Sequence, residues 1–141
     1  MLVAAGCGSK PKDVSKAQYQ QQIQRLGTAL VRAGSQIGQH LDISSFNQDI
    51  SKFQDELRSA SKELKGVKPP ASAQDPNKRL AGAFHDLADG LDAVKDARRK
   101  SLPEAGRAFA AARESPPARQ GRAAIRDLKR LGYEVGDMGS L

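Results

Sequence analysis

Apolar side chains recur along the first half of the chain in alternating steps of four and three residues. This spacing places them on one face of an α-helix, and each of two such rows continues for about three heptads. Asp13 or Ser15 can cap the first helix. Ser44 or Ser45 can cap the second after a short loop, which predicts two antiparallel neighbouring helices. The first row is Tyr19, Ile23, Leu26, Leu30, Ala33, Ile37 and Leu41, and the second is Phe46, Ile50, Phe53, Leu57, Ala60, Leu64 and Val67.

A third row of the same period follows the main break in the chain. Gly66 and the pair Pro69-Pro70 stop the second helix, because proline cannot continue it. Asp75-Pro76 has the residue types of a helix N-cap and first helical position, and it predicts a third helix that ends around Lys100. The row on this helix is Leu80, Phe84, Leu87, Leu91 and Val94.

The final third has weaker periodicity and a second break. Ser115 precedes Pro116-Pro117, which interrupts the pattern, and it can cap a last helix that runs to about Leu131. Gly132 is then a natural C-terminal cap, with Tyr133 packing back. Together the rows predict an all-α fold, a four-helix up-down-up-down bundle whose last helix is interrupted near Pro116-Pro117. The apolar positions here are Ala105, Ala108, Phe109 and Ala112 before the break, and Ile125, Leu128 and Leu131 after it.

Composition narrows the class of protein. The chain has 141 residues, of which 38% are hydrophobic and 28% charged, as in one globular domain. No run approaches the ~18 apolar residues of a membrane-spanning helix. The net charge of +7 favours an anionic partner such as anionic lipid or a cell-wall polymer. Nucleic acid is not favoured, because aromatics are 4% of the chain and there is no Trp to stack on bases.

The first residues carry the chain's single cysteine, Cys7, behind Leu2-Val3-Ala4-Ala5-Gly6. The segment Ala4-Ala5-Gly6-Cys7 resembles the lipobox of bacterial lipoproteins, in which a diacylglyceryl group is attached to the cysteine sulfur and a peptidase cuts before that cysteine. The segment departs from the family pattern, since Ala4 stands where leucine is usual and most of the signal peptide is missing. The chain as a whole is also similar to small helical lipoproteins with a mid-chain proline pair and a closing Leu-Gly-Tyr, here Pro69-Pro70 and Leu131-Gly132-Tyr133.

This resemblance implies a lipid anchor at Cys7 and a location on the extracytoplasmic side of the cell membrane. The partner is then the membrane itself, bound through the lipidated cysteine. The predicted division of the chain is a signal-peptide remnant over 1–6, a flexible tether over 7–15, a single helical bundle domain over 16–135 and a frayed tail over 136–141.

No catalytic or metal site is predicted. The two histidines, His40 and His85, are expected at opposite ends of the bundle, too far apart to share an ion. The residues three positions before them are Ile37 and Gly82, whereas di-iron bundles carry Glu there. No serine lies in a Gly-x-Ser-x-Gly motif and no phosphate-binding loop is present, so we expect neither an enzyme nor a cofactor.

The last helix has a basic stripe, a row of five cations spread over about 100° of its circumference. One interpretation is contact with anionic lipid or a cell-wall polymer. The other is an ordinary solvent-facing surface rich in arginine. The stripe is Arg119, Arg122, Arg126, Lys129 and Arg130.

Three functions remain open at this point. The first is a lipid-anchored extracytoplasmic helical bundle that binds or scaffolds and does not catalyse. The second is a soluble basic bundle that binds a polyanion, whether cell-wall polymer, anionic lipid or nucleic acid. The third is a bundle that holds a small apolar ligand between its helices, where Ala33, Gly34 and Ala60 leave room.

Overall fold

The computed structural model describes residues 10–39 and 42–141, and within them helices account for nearly all regular structure. The all-α fold class is therefore confirmed. Two short 3-10 helices, Ala71–Ala73 and Gly136–Ser140, and a pair of two-residue strands, β1 (Lys12–Asp13) and β2 (Val67–Lys68), complete the regular structure. The α-helices are α1 (Lys16–Gln36), α2 (Ile43–Lys65), α3 (Gln74–Gly90), α4 (Asp92–Lys100), α5 (Leu102–Arg113) and α6 (Pro116–Arg130).

Helix α1 begins as predicted and ends earlier than predicted. Ser15 is its N-cap, and a capping box links Ser15 with Gln18 in both directions. The helix stops at Gln36 because Ile37 is extended and Gly38 has a φ of +84°, a left-handed conformation that glycine adopts readily. The expected continuation to Leu41 is therefore wrong for 37–39, and Leu41 itself lies outside the described residues.

Helix α2 has a different N-cap from the one predicted. The side chain of Asp42 accepts a hydrogen bond of 2.8 Å from the Ser45 backbone N–H, so neither Ser44 nor Ser45 is the cap. An aspartate at this position also places negative charge at the positive end of the helix dipole. Gly66 is the C-cap, where the sequence predicts the stop.

The predicted third helix is divided into α3 and α4 at Leu91. Leu91 is buried and stays in the right-handed helical region, with a φ of −72° and a ψ of −12° that is less negative than in a regular α-helix. From α2, the Gln54 side-chain amide donates to the Ala88 carbonyl and to Asp92 Oδ1, each at 2.8 Å. This amide satisfies groups on both sides of the division, which the apolar row alone does not reveal. The predicted N-cap at Asp75 is also wrong, because a 3-10 turn leads directly into α3 at Gln74.

Cross-helix contacts give the relative directions of the long helices. β1, which precedes α1, pairs in parallel with β2, which follows α2, so the start of α1 lies beside the end of α2. Asn77 near the start of α3 donates to the Leu64 carbonyl near the end of α2, at 2.8 Å. Arg79 of α3 meets Asp127 late in α6, at 2.6 Å. A Cβ added at Gly121, early in α6, would lie 3.5 Å from the Ala83 Cβ. The pairs α1–α2, α2–α3 and α3–α6 are thus antiparallel.

The end of α6 follows the predicted cap geometry with one exception. Gly132 has a φ of +84°, and the Tyr133 N–H donates to the Leu128 carbonyl at 3.0 Å. Tyr133 is buried and its ring meets that of Tyr19 edge-on, with centroids 5.6 Å apart. Leu131, expected to face the core, is 43% exposed, because the helix ends one residue before it.

The last residues are not frayed. They form the 3-10 helix Gly136–Ser140, which packs on α1 with Met138 fully buried. The approach is close, since a Cβ added at Gly27 would lie 2.4 Å from the Met138 backbone nitrogen. The Thr28 hydroxyl donates to Asp137 at 3.0 Å across the same contact. This segment therefore belongs to the folded body, and so do residues 12 and 13 of the expected tether, which form β1.

Candidate functional site

An open pocket with a volume of about 360 Å³ lies between α1, α2, α3, α5 and α6. Its wall is mostly apolar, and it lies beside the core rather than on a flat face of a helix. The volume is at the small end of the roughly 300–1,000 Å³ typical of small-molecule sites. Among the residues that line it are Leu30, Gly34, Phe53, Leu57, Phe84, Leu87, Phe109, Arg113, Pro117, Ala118, Arg122, Ile125 and Leu141.

Small residues leave the space that the pocket occupies. Gly34 of α1 faces the Phe53 ring of α2, and a Cβ added at Gly34 would lie 3.6 Å from Phe53 Cε2. Gly34 was one of three positions expected to leave room between helices, and it does line the pocket. Ala33 and Ala60 do not line it; Ala60 is buried in the core.

Two arginines, Arg113 and Arg122, are the charged residues in the pocket wall. Arg122 Nη1 donates to the Arg113 backbone carbonyl at 2.7 Å, and Nη2 lies 3.4 Å from the Glu114 carboxylate. These contacts hold Arg122 against the end of α5 and leave further N–H groups of its guanidinium available. Arg113 is exposed, and within the described ranges its side chain makes no hydrogen bond or ion pair.

The N-terminus of α6 also forms part of the wall. Its first two residues are Pro116 and Pro117, which have no N–H, so Ala118 carries the first N–H of the helix. Ser115 stands at the N-cap, yet its hydroxyl donates to the Ala112 carbonyl at 2.6 Å. No side chain of the described part of the chain caps α6. The positive end of this helix dipole therefore meets the pocket at Pro117 and Ala118.

The basic stripe of α6 is divided among several neighbours. Arg122 turns toward α5 and the pocket, while Arg130 lies 3.7 Å from Asp127. Lys129 lies against Gly139, where an added Cβ would come within 2.8 Å of Nζ. Arg119 and Arg126 remain exposed on the outer face. Arg122 is therefore half-buried against α5, whereas Arg119, Arg126, Lys129 and Arg130 are exposed.

An ion-pair cluster of Arg79, Asp75 and Asp127 links α3 with α6. The hydrophobic pattern of the sequence does not predict it. Arg79 bridges Asp75, 2.8 Å away on its own helix, and Asp127, 2.6 Å away on α6. The hydrogen bond from Arg79 lowers the pKa of Asp127 below its ordinary value, and the positive charges of Arg130 and Arg126 add to this. The same hydrogen bond raises the pKa of Arg79. All polar partners here are protein groups, so the arrangement is a tie between helices.

Buried polar side chains within the core are also paired. The Tyr19 hydroxyl donates to Asn77 Oδ1 at 2.9 Å, and the Asn77 amide donates to the Leu64 carbonyl. Burial raises the pKa of Tyr19 well above its ordinary value, and the neighbouring Tyr133 raises it further. Ser61 of α2 donates to the Ala81 carbonyl of α3 at 2.7 Å. These bonds fix the contacts of α3 with α1 and α2.

The remaining predicted site residues are spread out. His85 is exposed and its Nε2 lies 3.8 Å from Asp89 Oδ2, while His40 and Cys7 lie outside the described residues. Within residues 10–39 and 42–141, no three His, Cys, Asp or Glu side chains group as metal ligands would. Over the same residues, no helix is both long and apolar enough to span a bilayer. No family model matches the chain, and neither a curated protein nor a solved structure matches it.

Sequence reasoning found part of the pocket. Gly34, Phe53 and Phe109 were assigned to apolar or small-residue positions, but nothing in the pattern placed them together. Arg113 was missed, because its position depends on where α5 lies against α6. An arginine two residues before a serine–proline helix start is the only local signal that could have marked it.

Proposed function

We propose that the protein is a lipid-anchored extracytoplasmic binding protein that is not an enzyme and holds a small apolar ligand in the pocket beside Gly34. In this proposal α1, α2, α3 and α6 form a four-helix up-down-up-down bundle. The pair α4–α5 is an insertion between its third and fourth members. The bundle supplies the scaffold, and the insertion supplies one wall of the site.

The observation that carries this proposal is the pocket itself. Helical cores normally pack without gaps larger than a water molecule. The space of about 360 Å³ between Phe53, Phe84 and Phe109 is open to solvent and lies beside such a core, and its mostly apolar wall suits an apolar ligand. The absence of a side chain at Gly34 is the local reason for the space.

Filling the pocket tests this function. Gly34→Leu places a branched side chain against Phe53 and should abolish the binding of decanol, a neutral apolar probe, measured by calorimetry. Gly82→Leu is the matched control, because Gly82 is also a helical glycine and an added Cβ there meets nothing within 4 Å. Decanol binding that survives Gly34→Leu in a folded protein would contradict the proposal.

The anchor is supported by the sequence Ala4-Ala5-Gly6-Cys7 and by the charge of +7, which suits an anionic bilayer surface. A diacylated cysteine gives stable membrane attachment where a single chain does not. The protein with Cys7 should therefore enter the detergent phase on partition, and Cys7→Ser should stay in the aqueous phase. An intact mass without acyl groups in the native protein would refute the anchor.

Polyanion binding through α6 is the alternative, and the exposed Arg119 and Arg126 support it. It has less support than the pocket, since the other three cations of the stripe contact protein groups. It predicts heparin binding that falls steeply with salt and is lost in the Arg119→Gln, Arg126→Gln double variant. Unchanged heparin binding in that variant would remove it.

A further inference from the structure

We infer that the ligand of this pocket carries a carboxylate: a single-chain fatty acid whose tail lies against Phe53 and Phe84 and whose head group meets Arg113 and Arg122. The inference rests on the proposed function and adds the chemistry of the ligand. It is based on two features of the pocket wall, namely its mostly apolar side chains and the positive charge of the two arginines.

The first argument is charge complementarity. Arg113 and Arg122 both line the pocket, and no acidic side chain does. Glu114, the nearby carboxylate, is 76% exposed and lies 3.4 Å from Arg122, a weak contact that leaves the positive charge only partly offset. Arginine binds a carboxylate with two parallel N–H groups, so the pair suits a carboxylate head group.

The second argument is the uncapped start of α6. Because Ser115 donates to the end of α5, the Ala118 N–H has no side-chain acceptor at the place where a helix usually finds one. Ala118 and Arg122 both line the pocket. A carboxylate there accepts from the helix terminus and from the guanidinium together.

The third argument is size. A volume of about 360 Å³ is sufficient for one acyl chain of medium length. Most of the apolar lining residues belong to α1, α2 and α3, and the two arginines belong to α5 and α6. A fatty acid has the same division into an apolar tail and one charged end.

Calorimetry with decanoate and decanol on the full chain tests the inference. We expect decanoate to bind about tenfold more tightly than decanol, a difference of ~1.4 kcal/mol. The double variant Arg113→Gln, Arg122→Gln should lose this preference, so that decanoate and decanol bind with equal affinity. The matched control is Arg119→Gln, Arg126→Gln, which removes the same charge from α6 outside the pocket and should keep the preference.

The outcomes separate the two proposals. If neither probe binds, the proposed function fails. If both bind equally and the arginine variants change nothing, the pocket function stands and the carboxylate is wrong. An equal loss in the control variant would also overturn the inference, because it would show general charge attraction. Arg113→Gln alone serves as a second variant, since that exposed side chain makes no contact that folding requires, and it should lose part of the preference.

Discussion

Helices α3 and α5 are held in the protein in different ways. Of the 17 residues of α3, seven are buried, and the helix lies between α2 and α6. Of the 12 residues of α5, only Ala105 is buried, and the helix packs chiefly on α4. The pocket lies where these two kinds of packing meet, so one of its walls is much less firmly held than the others.

Polar contacts follow the same division. α3 exchanges hydrogen bonds with α2 through Asn77, Ser61 and Gln54, and with α6 through Arg79. α5 is joined to α6 mainly at its end, where Arg122 meets the Arg113 carbonyl. Segments with few buried apolar contacts open at lower free energy than the core. We therefore expect α5 to open while α3 stays folded.

The largest expected effect comes from removing one large apolar side chain from α3 and one from α5. Leu80→Ala in α3 should lower the free energy of unfolding by ~2–5 kcal/mol, because Leu80 is fully buried. Phe109→Ala in α5 should cost less than half as much, since Phe109 is only partly buried and borders the pocket. Urea titration followed by circular dichroism measures both. Equal losses would mean that α5 is as firmly packed as α3.

A smaller effect is expected from the buried hydrogen bonds of α3. Asn77→Ala leaves the Tyr19 hydroxyl and the Leu64 carbonyl without partners and should cost ~1–3 kcal/mol. Asn47→Ala is the control, because Asn47 Oδ1 is buried and has no hydrogen-bond partner in the part of the chain that the structure describes. The control should not lower stability, because it removes a buried acceptor that has no partner. A similar loss in both variants would show that the polar contacts of α3 carry no special weight.

Two glycine substitutions sharpen the comparison further. An added Cβ meets nothing within 4 Å at Gly82 in α3 or at Gly106 in α5, so alanine should stabilise each helix by ~0.5–1 kcal/mol. Gly82→Ala should raise the global midpoint of thermal unfolding. Gly106→Ala should leave it unchanged and slow hydrogen exchange in α5 by up to about fivefold. If Gly106→Ala also raised the global midpoint, α5 would unfold together with the core.

The smallest effect concerns the tie between α3 and α6. Because Arg79 lowers the folded-state pKa of Asp127, the stabilisation is present above the unfolded pKa of about 3.9 and is lost as pH falls through the folded value. In Arg79→Gln the midpoint of thermal unfolding should therefore fall less steeply as the pH is lowered from neutral to about 2. Arg130→Gln should change this pH dependence less, since Arg130 is 79% exposed and 3.7 Å away. An unchanged pH dependence in Arg79→Gln would contradict the tie.

The sequence predicts helix ends correctly where the residues at that end determine them. Ser15 caps the start of α1 with its side chain, and Gly132 follows the end of α6 in a left-handed conformation that glycine adopts readily. The sequence does not predict features that depend on contacts between residues far apart in the chain. The division at Leu91 coincides with an amide from α2, and the burial of Met138 depends on a contact with Gly27 that no short-range signal contains.

The candidate pocket also depends on long-range contacts that the sequence does not reveal. Gly34 was marked by its small size, but the pairing of Arg113 with Arg122 exists only because α5 ends beside α6. Residues from five helices and the C-terminal segment contribute to one pocket, and their distances in the sequence exceed any helical repeat. The sequence therefore predicts an all-α fold with some space between its helices, but it does not predict the position of the pocket.

The pairing of β1 with β2 has a consequence for the positions of the proposed anchor and the proposed pocket. It fixes the point where residue 12 joins the body, beside the start of α1, whereas Gly34 lies roughly 27 Å further along that helix at ~1.5 Å per residue. If the proposed anchor at Cys7 and the proposed ligand pocket are both correct, the membrane-attached end of the chain enters the body at one end of α1 and the pocket lies toward the other end.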